Sequence, residues 1–192
     1  MHLLFCSNGV VVATHDDTQT IDPSAYGDGV RVIPWDQPLS ALERIGPPPE
    51  NLPGGARGDP RPYAQPTETP DILKLYAAQQ RFAYNTGGLT YNSITINTDH
   101  ASQAHVSTLA QYAATLPNTS PINFTQDSVA YQMTAGDTIN IFNQIGALIQ
   151  QARTVEAQCY ASIDAGTITT YDQVDAAFAG SMKAWKDAAA QR

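Results

Sequence analysis

The stretch 137-DTINIFNQIGALIQQARTVEAQCYASID-164 has the longest clean helical period in the sequence. Its apolar residues recur at alternating steps of four and three, so they share one face of a helix. They are Ile141, Ile145, Leu148, Ala152, Val155 and Cys159. Thr134 and Asp137 resemble a capping box at the start, and Ala165-Gly166 supplies a stop. An apolar stripe of this length must be covered by other apolar residues. The apolar segments long enough to cover it lie on either side of it in the sequence.

The pattern of a hairpin followed by a helix occurs twice, and the stretch quoted above is the helix of the second occurrence. Apolar alternation around Asn92-Ser93 predicts a hairpin over 89–97, followed by a helix over 99–116 that Pro117 closes. A second alternating pair around 126–128 predicts a hairpin over 122–133, and the helix over 137–163 follows it. The two hairpins are expected to form one antiparallel sheet with the helices on one face.

Two more helices complete this C-terminal part. Thr69 as the N-cap and Pro70 at the first helical position open a helix over 70–85. Thr170 and Gln173 form a capping box for a helix over 171–190. Residues 71–192 therefore read as an α+β domain of helices packed on an antiparallel sheet of two hairpins.

The N-terminal part has a different character. Apolar runs flank Asn8-Gly9 and predict a hairpin over 2–14, and a third strand over 30–33 completes a small β-sheet in a head of residues 1–36. Nine of the thirteen prolines lie between Pro38 and Pro70, so residues 37–70 read as a Pro-rich linker. Arg57-Gly58-Asp59 spells an integrin-recognition tripeptide, which in such a linker we interpret as chance.

Composition excludes several classes of protein. Charged residues make up 15% of the chain and the net charge is -8, which argues against a binding surface for nucleic-acid phosphates. No apolar run is long enough for a transmembrane helix, and the first six residues lack the features of a signal peptide. Two cysteines are too few for a disulfide framework, so both are expected to be unpaired or structural.

The sequence contains no catalytic signature. There is no GxSxG, no HExxH and no Gly-rich phosphate loop with a lysine. His100 and His105 are five apart, about 140° on a helix, so they do not form a two-histidine metal face. Cys159 has no basic neighbour to lower its pKa. We therefore predict no catalytic residue, no cofactor and no metal site, and the chain is not expected to be an enzyme.

Two apolar surfaces are candidates for binding another protein. The first lies on the small N-terminal sheet and the second on the last predicted helix. The candidate residues are Leu3, Phe5, Val11, Val32 and Trp35 on the sheet, with Phe178, Met182 and Trp185 on the helix. A sheet with free edges can add a strand from a partner. The helix face is an interaction site if it is exposed, although burial within the chain is the favoured reading.

One family resembles this chain in both motif and order of elements. The run 85-NTGGLTY-91, the run 94-ITINTD-99 and Ser102 leading into an alanine-rich helix are similar to DUF4376, a domain of unknown function found in tailed-bacteriophage proteins. The likeness covers about 71–178. The N-terminal layout also resembles small phage tail-fibre assembly proteins, in which a β-rich head and a proline-rich stretch come first.

The resemblance implies a phage tail gene product that acts by protein–protein binding. The first hypothesis is an assembly chaperone or adaptor for the receptor-binding tail fibre. The alternative is a permanent structural component of the tail tip or baseplate, and a remote alternative is a cell-wall hydrolase. The implied partner is a tail-fibre or baseplate protein, in the host cytoplasm during assembly or in the virion tail. Whether the chain is a homo-oligomer stays open.

Overall fold

The structure is a computed structural model that describes residues 2–7, 9–16, 30–42 and 63–189. Two compact units divide the chain. The first unit comprises Met1–Gln79 and Ser162–Val174, and the second comprises Gln80–Ala161 and Asp175–Arg192.

A three-stranded antiparallel sheet forms the strand-rich part of the first unit. Its strands are β1 (His2–Ser7), β2 (Val10–Asp16) and β3 (Arg31–Trp35), in the order β2-β1-β3. Gly9 has a φ of 76°, a conformation that glycine adopts without the steric cost of a side chain. A bulge interrupts the pairing of β1 with β2 between Phe5 and Cys6. The sequence therefore located this small sheet correctly.

Both described ends of the predicted linker have structure. A 3₁₀ helix spans Leu39–Ala41, and Tyr63–Gln65 runs alongside β2. Helix α1 (Pro70–Thr86) begins after Thr69, whose hydroxyl accepts a hydrogen bond from the N–H of Ile72. Residues 43–62, including the Arg-Gly-Asp tripeptide, lie outside the described residues.

The second unit contains both predicted hairpins. The strands are β4 (Leu89–Tyr91) with β5 (Ile94–Ile96), and β6 (Pro121–Gln126) with β7 (Val129–Thr134). Helix α2 (His100–Ala113) lies between the hairpins in sequence, and α3 (Ala135–Asp164) and α4 (Tyr171–Ala189) follow them. The antiparallel strands and four helices confirm the predicted α+β class.

The apolar stripe of α3 is buried as predicted. All six of its residues are 4% exposed or less. The first two, Ile141 and Ile145, belong to a core cluster that also contains side chains from both hairpins and from α2. These partners are Leu89, Ile96, Val106, Phe124 and Met133. The start of the stripe is thus covered by segments that precede it in the sequence, whereas Leu148 and Ala152 pack with Met182 of α4, which follows it.

The two hairpins form separate two-stranded sheets, whereas the sequence suggested one sheet. The Gln126 side chain explains the separation. Its Oε1 accepts a hydrogen bond from the N–H of Asn97 at 2.7 Å, and its Nε2 donates one to the carbonyl of Thr95 at 3.0 Å. Because a side chain occupies these backbone groups at the β5 edge, β6 does not continue the ladder there.

The predicted helix boundaries hold within three residues. Helix α2 ends at Ala113, earlier than the predicted 116, because the N–H groups of Thr115 and Leu116 bond three residues back instead of four. Helix α3 begins at Ala135, two residues earlier than predicted, because Thr134 is itself the cap. Helix α1 extends one residue further than predicted, and α4 begins at Tyr171 as expected.

Candidate functional site

The five N-terminal candidates lie on both faces of the three-stranded sheet. Phe5 is directly opposite Val32 in the pairing of β1 with β3, and Leu3 is two residues along, so these three share one face. Trp35 pairs with His2 and therefore lies on the other face. Val11, opposite Cys6, also lies on that other face.

Burial separates these five residues into two groups. Phe5 is 1% exposed and Val11 is 8% exposed, so their side chains are already covered within the chain. Leu3, Val32 and Trp35 are half-buried and keep part of their apolar surface. Of the five candidates, these three keep area for a partner.

The two edges of this sheet differ. At β2, the N–H of Val11 donates to the carbonyl of Tyr63 at 2.9 Å, and the N–H of Gln65 donates to the carbonyl of Gly9 at 2.8 Å. At β3, no further strand pairs with the outer edge within the part of the chain that the structure describes. Pro34 lies in β3 and has no N–H, which suits a strand at a sheet edge. Of the two edges, the one at β3 is therefore the edge that no described segment occupies.

Arg31, the first residue of β3, lies in a cluster of aromatic and acidic side chains. Its Nε donates to the phenol oxygen of Tyr76 at 3.1 Å, and its Nη2 donates to a carboxylate oxygen of Asp172 at 2.5 Å. The guanidinium carbon lies 5.6 Å from the ring centre of Tyr76 and 5.1 Å from that of Tyr171, distances typical of cation–π contacts. The cluster thereby ties β3 to α1 and to the start of α4.

Tyr171 is the buried centre of this cluster. Its ring meets that of Tyr76 edge-on with centroids 4.9 Å apart, and its hydroxyl donates to the carbonyl of Pro66 at 3.2 Å. The N–H of Tyr171 donates to the Glu68 carboxylate at 3.0 Å, which caps the first turn of α4. Burial raises the pKa of the Tyr171 phenol, and the nearby Cys6 and Glu68 charges act in the same direction. The phenol therefore stays protonated and acts as a donor.

The candidates on the last helix are packed inside the second unit. Phe178 is fully buried and stacks on Tyr84, with ring centroids 5.6 Å apart and an interplanar angle of 12°. Met182 is 1% exposed and belongs to a cluster with Leu148 and Ala152. The side chain of Trp185 lies outside the described residues. The two described candidates therefore contribute to the core in this conformation.

A shallow hollow of about 290 Å³ lies beside the end of α1 in the second unit. Its lining is uncharged and comes from the last two turns of the helix and the glycines that follow. The lining residues are Gln80, Ala83, Tyr84, Gly87 and Gly88. The volume is at the lower limit of ordinary ligand pockets, so the hollow has room for a side chain or a small molecule.

The two cysteines and Asp99 have structural roles. Burial raises the pKa of the Cys6 thiol to about 12, although the Arg31 charge opposes this, and burial also raises the pKa of Cys159. Both cysteines are free and buried, as predicted. The side-chain hydrogen bond from Ser102 is the main cause of a lowered pKa at Asp99, the N-cap of α2. These groups serve packing and capping.

Among the described residues, no three His, Cys, Asp or Glu side chains converge in a way that could hold a metal ion. None of the described helices combines the length and apolar character that crossing a bilayer requires.

Sequence reasoning missed the arginine cluster. A signal was present, because Arg31 is the one charged side chain in the apolar run 30-VRVI-33. A charge at an otherwise apolar strand position indicates a specific partner. The partners themselves are 45 and 141 residues away, so no local pattern could identify them.

The described residues form an α+β protein with a small antiparallel sheet, two hairpins and four helices. Residues 68–179 match the family model described as a domain of unknown function, DUF4376. Since the match covers more than half of the chain, this protein belongs to the DUF4376 family. No curated protein matches the chain, and no solved structure matches it either.

Proposed function

We propose that this chain is a bacteriophage tail-associated protein that binds the receptor-binding tail fibre as an assembly chaperone or adaptor. The chain belongs to the DUF4376 family, and the proposal rests on the resemblance described in the sequence analysis, which implies a tailed-phage protein. The acidic net charge of -8 is compatible with a protein partner and unfavourable for nucleic acid.

The observation that carries the proposal is the surface at β3. Leu3, Val32 and Trp35 keep exposed apolar area beside a strand whose outer edge has no described strand paired to it. An added strand gains main-chain hydrogen bonds at such an edge, and alternate side chains supply specificity. The segment of the fibre that docks is accordingly expected to be extended and apolar at alternate positions.

The arginine cluster favours this mode of binding because it orders β3 in advance. Arg31 is held by Tyr76, Tyr171 and Asp172 through contacts to two rings and two oxygen atoms. A preordered strand loses less conformational freedom when a partner binds, so more of the contact energy appears as affinity.

Copurification tests the proposal directly. The full chain is coexpressed with the tail-fibre protein encoded by the same phage, and the amount of fibre retained with the tagged chain is measured. Val32→Asp places a charge on the candidate surface and is expected to reduce retention about tenfold or more. Val12→Asp is the matched control, since Val12 lies on β2 and is 49% exposed. Equal retention by both variants would contradict the site, and no retention by the wild-type chain would contradict the function.

Mass spectrometry of purified virions distinguishes the two forms of the hypothesis. A chaperone is absent from virions, and deleting its gene removes the fibres. A permanent part of the tail tip or baseplate is present in fixed stoichiometry. The chaperone form of the proposal predicts that the chain is absent from virions and that deleting its gene removes the fibres. Stoichiometric presence in virions would favour the structural alternative.

A further inference from the structure

The outer edge of β7 carries backbone groups that point away from its hairpin. The loop between β6 and β7 is two residues long, and both Asp127 and Ser128 have positive φ, the geometry of a type I′ turn. The residues that flank such a loop, Gln126 and Val129, form a hydrogen-bonded pair, and the pattern then alternates. It follows that the N–H and C=O groups of even-numbered β7 residues face outward.

Two hydrogen bonds at the other end of the hairpin confirm this alternation. The N–H of Ala135 donates to the carbonyl of Ser120 at 2.8 Å, so odd-numbered residues face β6. The N–H of Thr134 turns outward and donates to the Asp137 carboxylate at 3.0 Å. Among the described residues, no group bonds the outward N–H and C=O of Ala130 and Gln132.

β7 also lacks the features that usually protect a sheet edge. Natural edges carry charged residues, prolines or bulges, which discourage pairing with another strand. β7 reads VAYQMT, with no charge and no proline, and its register with β6 is unbroken. Val129 at its start is 48% exposed. The opposite edge of this hairpin is different, since Gln126 of β6 bonds there to the backbone of β5.

We propose that β7 pairs antiparallel with β7 of a second copy of this chain, across a twofold axis at Tyr131. Ala130 then lies opposite Gln132 of the second copy, and Gln132 lies opposite its Ala130. Each pair exchanges two N–H···O=C bonds, so four interchain hydrogen bonds form and all the outward groups of Ala130 and Gln132 are used. The result is a continuous four-stranded antiparallel sheet.

The side chains favour a second copy over an unrelated strand. In this register, each residue lies opposite one whose side chain is on the same face of the sheet. Tyr131 lies opposite Tyr131 of the second copy, as a close pair without main-chain hydrogen bonds. Exposed Val129 lies opposite Met133 of the second copy, on the apolar face. Ala130 and Gln132 pair on the outer face with no like charges in contact. One uncharged strand is therefore complementary to itself.

The interface is small, so the expected dimer is weak and depends on concentration. A single strand pair buries less surface than the roughly 1,200 Å² of stable complexes. The two copies, each with a net charge of -8, also repel each other, and salt screens this repulsion. Dimerisation is thus expected to strengthen as ionic strength rises.

Sedimentation equilibrium of the full chain tests the proposal. The wild type is expected to show a reversible monomer–dimer equilibrium. Ala130→Pro removes an outward N–H and leaves the hairpin ladder intact, so two of four interchain bonds are lost and the dissociation constant rises about ten- to thirtyfold. The control Gln132→Ala retains every backbone group and should dimerise like the wild type. A wild-type chain that stays monomeric up to about millimolar concentration, or an Ala130→Pro chain that dimerises normally, would overturn the proposal.

Charge pairs test the register and do not depend on how well proline is tolerated. The double variant A130K/Q132K places lysine opposite lysine twice and should abolish the dimer, whereas A130K/Q132E places opposite charges together and should restore it. The control N123K/T125K puts two lysines on the outer face of β6, away from the edge, and should dimerise. If the A130K/Q132E variant did not dimerise, the stated register would be wrong. Since β7 lies apart in sequence from β3, fibre retention and dimerisation can fail independently.

Discussion

Arg31 shows how one charged residue can organise a small sheet. Its side chain is 21% exposed, and it reaches two aromatic rings, a phenol oxygen and a carboxylate. Asp172 is 86% exposed, so its ion pair with Arg31 contributes little stability. The stabilising part of the cluster is the contact with Tyr76 and Tyr171, where the guanidinium is partly withdrawn from water.

Replacing Arg31 with methionine should therefore lower the free energy of unfolding by about 1–3 kcal/mol. Methionine preserves much of the packing volume but removes the hydrogen bond to Tyr76 and both cation–π contacts. Urea denaturation at neutral pH measures the change. Asp172→Asn is the control and should remain within about 0.5 kcal/mol of the wild type; a larger loss there would show that the ion pair dominates.

The two thiols should be unreactive in the folded protein. Because the thiolate is the reactive form, burial and a pKa of about 12 protect Cys6, and burial with a raised pKa protects Cys159. A disulfide reagent at pH 8 is expected to detect almost no thiol in the native chain and two thiols in denaturant. Rapid reaction of one thiol under native conditions would contradict the burial of that cysteine.

At the scale of elements, short-range patterns identified the helix starts and hairpin turns. Thr134 and Asp137 bond each other reciprocally: the N–H of Asp137 donates to the Thr134 hydroxyl, and the Asp137 carboxylate accepts from the N–H and hydroxyl of Thr134. Gln173 likewise accepts from the N–H of Thr170. Such contacts span three residues, which is why the sequence reveals them. The hydroxyl of Tyr91 also donates to Asp137 at 2.8 Å, a contact across 46 residues that sequence could not show.

The cap of α3 should make stability depend on pH. The hydrogen bonds from Thr134, and then the one from Tyr91, lower the pKa of Asp137. A lowered folded-state pKa gives stability that is present above the unfolded value of about 4 and is lost as pH falls through the folded value. Asp137→Asn should therefore cost about 1 kcal/mol at pH 7 and much less near pH 2, by urea denaturation. An Asp137→Asn deficit that is constant with pH would contradict the explanation.

Gln126 should protect the edge of β5 from exchange with solvent. Removing its amide in Gln126→Ala frees the N–H of Asn97, whose hydrogen exchange should accelerate by about tenfold. Asn123→Ala, an exposed position on the same strand, is the matched control. Unchanged exchange at Asn97 in the Gln126 variant would show that another group protects this amide.

At the scale of the whole molecule, the N-terminal head and residues 162–174 belong to one compact unit. Sequence reasoning treated residues 1–36 as a separate head before a linker. The contacts of Arg31 with Tyr76 and Tyr171, together with the bond from Tyr171 to Pro66, show that the first unit is assembled from distant parts of the chain.

A chain that begins at residue 63 should consequently be destabilised. Without β1 and β3, the rings of Tyr76 and Tyr171 lose Arg31, and apolar surface that the sheet covered becomes exposed. We expect a melting temperature lower by several degrees and increased binding of an apolar dye, measured by thermal unfolding and fluorescence. A truncated chain with an unchanged melting temperature and no added dye binding would show that the head contributes nothing to this unit.

The sequence by itself determined the α+β class, the apolar stripe of α3, the caps at Thr134 and Thr170, the turn at 92–93 and a second turn within 126–128. These features depend on residues within a few positions of one another, where backbone geometry and local hydrogen bonding decide the outcome. Tertiary structure alone decided that the hairpins stay separate, that Phe5 is buried, and that Arg31 meets Tyr171. Those contacts join residues far apart in sequence, and their formation depends on how whole elements pack, which local patterns do not encode.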